Sequence, residues 1–220
     1  MNGSKLKTLV VGPAVGSLLM VLGACGTGMT PGGMPLPGGQ QVKADTAFDR
    51  TGTLRSDGAY TSMTAINFVS TGDEGDTNLG QRAIVSVVLN QVPAGANVSK
   101  AVLRIRRFIS EGNPYNDFGS MTVDHVNVAS SINAGSYLGS TLTPTIATIN
   151  PQAGMFTDPI MEIDVTTQVK ADLAAGRPIS SFRFQFNNGP SLDNAFDQVF
   201  MYADQNDETL RPIATITIDP

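Results

Sequence analysis

From about residue 42 onward, short apolar runs alternate with Gly, Pro, Asn and Asp, the texture of an all-β domain. In RAIVSVVLNQVPAGANVSKAVLRIRRF, residues 82–108, two such runs flank a turn marked by Pro93 and Gly95. The first run is apolar at both parities: Ala83, Val85, Val87 and Leu89 fall on one face, Ile84 and Val88 on the other. This predicts a central strand covered on both sides. The second run alternates, with Ala101, Leu103 and Ile105 inward and Arg104 and Arg106 outward, which predicts a strand with one wet face. Further strands are predicted at 121–128, 145–149, 161–165, 181–186, 198–203 and 213–218. In SFRFQF the period is clean: Phe182, Phe184 and Phe186 face a core, Arg183 and Gln185 face away.

A helical period occurs in DVTTQVKADLAAGRP, residues 164–178, where Asp164 or Thr166 caps the start, Val165, Val169 and Leu173 share a stripe, and Gly176 stands at the stop. Roughly nine or more short strands with one short helix and no internal repeat predict a β-sandwich of jelly-roll type over residues 42–220.

The first forty residues follow other rules. Lys5 and Lys7 precede an apolar run from Leu9 to Leu22, the order of an export signal. Gly12, Pro13 and Gly16 interrupt that run, leaving it short of the ~20 apolar residues of a spanning helix. Leu22-Gly23-Ala24-Cys25 resembles the bacterial lipobox, in which the cysteine is acylated and becomes the new N-terminus. Cys25 is also the chain's only cysteine, so it has no partner for an intrachain disulfide in an exported protein. The expectation is a signal peptide over 1–24, lipidation of Cys25 and anchorage to a bilayer in the bacterial cell envelope. Gly26, rather than Asp, after the cysteine points by analogy to the outer membrane or cell surface. Residues 25–41, rich in Gly and Pro and without hydrophobic period, read as a flexible tether.

Charge and residue content then exclude function classes. A net charge of −5 without tryptophan argues against nucleic-acid binding, which rests on Lys and Arg neutralising phosphates. Hydrolytic triads and metal-hydrolase centres need a placed histidine, and the lone His125 lies beside Asp124 in a strand, where neighbours point to opposite faces. No motif singles out a pair of carboxylates for glycoside hydrolysis. The chain is expected not to be an enzyme and to need no cofactor, with one open alternative. Three acidic loops, around Asp73 and Asp76, around Asp193 and Asp197, and from Asp204 to Glu208, are either a structural Ca²⁺ site, with Asp73, Asp76, Asp193 and Asp197 as ligands, or solvated turns.

Outward Arg104 and Arg106, with Arg183 and Gln185, would form a basic strip if their strands share a sheet. Such a strip suits bidentate pairing with carboxylates. Tyr202, or Tyr60, Tyr115 and Tyr137, would stack on sugar rings. The bland alternative is that these arginines keep a sheet face soluble and pair with nearby acids.

Three blocks in order resemble the DNRLRE-domain proteins: QRAIVSVVLNQVPAGANVSKAVLRIRRF, then MEIDVTTQVKADLAAGRPISSFRFQF, then VFMYADQNDETLRPIATITI with Arg211-Pro212 at the family's Arg-Pro position. The chain departs from that pattern in lacking a Trp near Asp172 and Leu173 and in the acidic loop before Arg82. The resemblance implies an extracellular jelly-roll module, with relatives classed as carbohydrate-binding modules for acidic polysaccharide such as alginate. The resulting expectation is a non-enzymatic surface lipoprotein that binds an envelope or extracellular polysaccharide. The alternative is a structural subunit of an envelope protein assembly.

Overall fold

The computed structural model describes residues 39–128, 132–139, 141–150 and 160–220. The expected signal peptide, Cys25 and nearly all of the expected tether lie outside them. The described chain is all-β, a jelly-roll sandwich built from one curled antiparallel sheet. Its strands are β1 (Gln40–Ala44), β2 (Gly52–Arg55), β3 (Tyr60–Ser62), β4 (Phe68–Glu74), β5 (Leu79–Val88), β6 (Asn97–Glu111), β7 (Met121–Val126), β8 (Thr141–Ile149), β9 (Ile160–Asp164), β10 (Ile179–Phe186), β11 (Asp197–Tyr202) and β12 (Ile213–Asp219). Helices α1 (Pro114–Phe118), α2 (Ala134–Leu138) and α3 (Thr166–Ala174) lie between them.

The ladder runs β1-β12-β6-β11-β4-β5-β10-β7-β8, with β9 on β6, β2 beside β5, and β3 on β2. The 15-residue β6 makes the curl possible by belonging to two layers. Its residues up to Arg106 pair with β12 and β9, and from Arg107 onward it pairs with β11, across a register shift at Phe200 and Met201. One layer is therefore β1, β12, the first part of β6, and β9. The other holds β11, β4, β5, β10, β7 and β8.

The alternating residues meet between the layers. Leu103, Ile105 and Ile216 from the first and Val85, Phe182, Phe184 and Met201 from the second are each fully buried in one cluster. Register fixes the contacts: Phe182 lies opposite Val85 on one side and His125 on the other. Strand β5 is covered on both sides, as its apolar parities predicted. Val85 and Val87 enter the main core, while Ile84 packs with Leu54, Val126, Val128 and Ile132 in a second cluster on the far face.

Helix α3 also forms where its period placed it. Asp164 Oδ1 accepts from the Thr166 N–H at 2.9 Å and from its hydroxyl at 2.6 Å, holding the Asp164 carboxyl below the usual range. Val165 and Val169 are buried, and Gly176 ends the helix at φ +67°, a conformation that side-chain-bearing residues resist. Two features go beyond the sequence pattern. Strand β1 takes in Gln40 and Gln41, which pair with Ile218 and Thr217; a backbone ladder recruits them without any apolar signal. Helices α1 and α2, five residues each, are additional to the one expected, since neither is long enough to show a period. Among the described residues no helix is long and apolar enough to cross a membrane.

Candidate functional site

The outward face of the first layer carries the most distinctive surface chemistry. On β6, Arg104 is exposed and Arg106 half-buried, opposite in parity to buried Leu103 and Ile105. Strand pairing sets Arg104 between Ile213 of β12 and Glu162 of β9, and sets Lys43 of β1 opposite Thr215 of β12. Arg211, just before β12, completes a groove of about 280 Å³ lined by Lys43, Arg104, Arg106, Arg211, Glu208 and Thr209 among others.

Two of those cations are already paired: Lys43 to Glu208 at 2.8 Å and Arg211 to Asp45 at 2.7 Å. The Lys43 hydrogen bond holds the Glu208 carboxyl below its ordinary range. Neighbouring Asp207 is lowered first by the hydroxyl and N–H of Thr209, and then by the fields of Arg106 and Arg211. Arg104 and Arg106 make no hydrogen bond or ion pair among the described residues. Their donors face solvent.

The next outward position on β6 is Phe108, which is 51% exposed. Its ring lies 4.7 Å from that of Tyr202 on β11, and Phe68 and Phe200 pack edge-on at 5.2 Å. These rings lie beyond the arginine row, where β6 passes into the second layer beside β11 and β4. Of the four tyrosines, Tyr202 alone packs against Phe108. Tyr60 donates to the Thr51 carbonyl, Tyr115 packs on Phe186, and Tyr137 lies under the Arg82 guanidinium at 4.2 Å.

Arg183 and Gln185 do not extend the strip. They point away from the main core as parity requires, but from β10 in the other layer, and they are only 4% and 9% exposed. A cover formed by α2 and the start of β8 closes over them. Arg183 donates to Asp124 Oδ2 at 2.8 Å, to the carbonyls of Tyr137 and Gly139, and to the Thr141 hydroxyl. Gln185 shares the same Asp124 oxygen at 2.7 Å, and the Thr145 N–H occupies the other. Arg82 donates to the Tyr137 carbonyl as well, and burial pushes its guanidinium pKa down. The charge is spent on holding a loop, not on meeting solvent.

His125 is equally internal. It is 1% exposed, with Nε2 2.9 Å from Asp172 Oδ2 of α3, while Arg177 Nε reaches the other oxygen at 2.5 Å. Adjacent Asp124 faces the opposite way, as strand parity demands, toward Arg183 and Gln185. The trio fastens α3 to β7.

The acidic loops divide. Asp73 of β4 lies directly opposite Asp197 of β11, and Ser191 Oγ stands 2.9 Å from Asp73 Oδ2 and 2.8 Å from Asp193 Oδ1. Asp76 is exposed, on the turn Gly75–Thr77. Among the described residues no three of His, Cys, Asp and Glu converge closely enough to hold a metal unaided. No protein-family model matches the chain, and no curated protein matches it.

Proposed function

We propose that this chain is a non-enzymatic, lipid-anchored envelope protein whose sandwich binds an anionic polysaccharide along the outward face of β6. The observation that carries the reading is the pair of guanidinium groups, Arg104 and Arg106, which line an open groove and make no hydrogen bond or ion pair among the described residues, with Phe108 the next outward residue of β6. A planar guanidinium pairs two carboxylate oxygens at once, and an aromatic face takes a sugar ring. A rigid sheet presents both without reordering its backbone. Each exposed charge contact contributes only ~0–1 kcal/mol, so the affinity comes from several sites along a polymer and many anchored copies. The likeness to DNRLRE-domain modules supports the same ligand class, and the lipobox at Cys25 supports the anchor.

Affinity electrophoresis of the protein through a gel containing a polyuronate tests this directly. Retardation is expected at low salt, is lost at high salt, and is lost in an Arg104→Ala/Arg106→Ala variant that melts like the parent. Migration unaffected by the polyuronate at low salt overturns the glycan reading. Cys25→Ser tests the anchor separately, since it should abolish lipid labelling and release the protein from membranes. A second reading, a subunit of an envelope assembly, draws on β8, which among the described residues pairs with β7 alone and whose residues Thr141–Thr145 are all exposed. Stoichiometric copurification of another envelope protein after mild detergent extraction, with no polyuronate retardation, selects that alternative.

A further inference from the structure

At the ends of β4 and β11, Asp73 and Asp197 face each other across an antiparallel pair, a position that sets Cβ atoms about 4.5–5.5 Å apart. Both are sealed, at 0% and 2% exposure. Asp73 Oδ2 accepts the Ser191 N–H at 2.8 Å, and Asp197 Oδ1 accepts the Asn113 N–H at 2.6 Å. The other two oxygens, Asp73 Oδ1 and Asp197 Oδ2, are buried and accept no hydrogen bond. Ser191 has a single hydroxyl proton for the two carboxylates it touches, Asp73 and Asp193. Burial first, with Asp117 of α1 and Asp193 close by, pushes the Asp197 carboxyl up. None of these four acids is in an ion pair among the described residues.

A buried carboxylate that stays charged is paired with a cation or bound to a metal, and this facing pair, with its two orphan oxygens, has no cation beside it among the described residues. We propose that Asp73 and Asp197 are the inner ligands of a Ca²⁺ site at this end of the sandwich, with Asp193 and Asp117 at its rim. Every donor is a hard oxygen and no imidazole or thiolate is present, which selects Ca²⁺ over zinc or copper. Two buried carboxylates leave most of the six to eight positions to water, hydroxyl and backbone oxygen, so affinity belongs to the weak extracellular class, about 10⁻⁴–10⁻³ M. Bound there, the ion ties the 187–196 loop and the α1 turn to the β4–β11 ladder. Gly112, at φ +66°, lets the chain come this close: a Cβ there would fall 2.3 Å from Asp197 Oδ1.

Thermal unfolding of the full chain, stripped with a chelator and then given millimolar CaCl₂ or MgCl₂, tests the site independently of any glycan. A rise in Tm of about 4–7 °C is expected with Ca²⁺ at some twenty times its Kd, and a smaller one with Mg²⁺. Asp197→Asn should abolish the Ca²⁺ response while melting at or above the parent in chelator, because the facing charge is gone. Asp73→Asn should do the same, and Asp76→Asn should leave the response intact. An unchanged parent Tm, equal shifts from both cations, or a full response in Asp197→Asn overturns the proposal.

Discussion

Arg104 with Arg106, and Arg183 with Gln185, occupy equivalent places in the strand pattern: each pair alternates with buried apolar residues and points away from the main core. Their surroundings are opposite. The first pair lines an open groove with its donors unused, whereas Arg183 is closed over by α2 and β8 and makes four hydrogen bonds beneath them. Parity decides the face on which a side chain emerges. What lies on that face depends on a segment some forty residues away in sequence.

The difference is sharpest under truncation. Arg183→Ala leaves Asp124 buried without its cation, and breaking a buried pair from one side costs about 3–5 kcal/mol. Equilibrium unfolding in urea measures this; a loss below about 1 kcal/mol would place Arg183 with the exposed arginines. Asp172→Ala strips His125 Nε2 of its buried acceptor and Arg177 of its partner, an intermediate loss of about 1–3 kcal/mol by the same assay. Smallest is the effect of Arg104→Ala/Arg106→Ala, within about 0.5 kcal/mol per substitution, because neither guanidinium makes a hydrogen bond or ion pair among the described residues. That last variant sharpens the comparison if polyuronate retardation disappears while stability stays level. Loss of both together would mean that the groove arginines, too, are structural.

Much of the scaffold was legible locally. The two-sided apolar character of β5, the Phe182-Phe184-Phe186 face of β10 and the Gly176 stop of α3 all appear where the patterns place them. The stretch from β1 to β4 was silent, because its short strands include Gly52, Gly72 and polar residues that earn their places by pairing. The candidate site was half legible. Phe108 shares the parity of Arg104 and Arg106, so the same alternation places it on the outward row. Lys43 and Arg211 were not, since only the β1-β12-β6 order brings them beside β6.

The sequence by itself determined the class of the domain, its central strand, its helix and the face each alternating residue takes, because period and turn chemistry are set by sterics within a few residues. Only the tertiary structure decided which outward arginine is covered, which carboxylates meet, and which cations share a groove. Those depend on contacts between residues far apart in the chain, where strand order and loop packing, not local preference, set the neighbours.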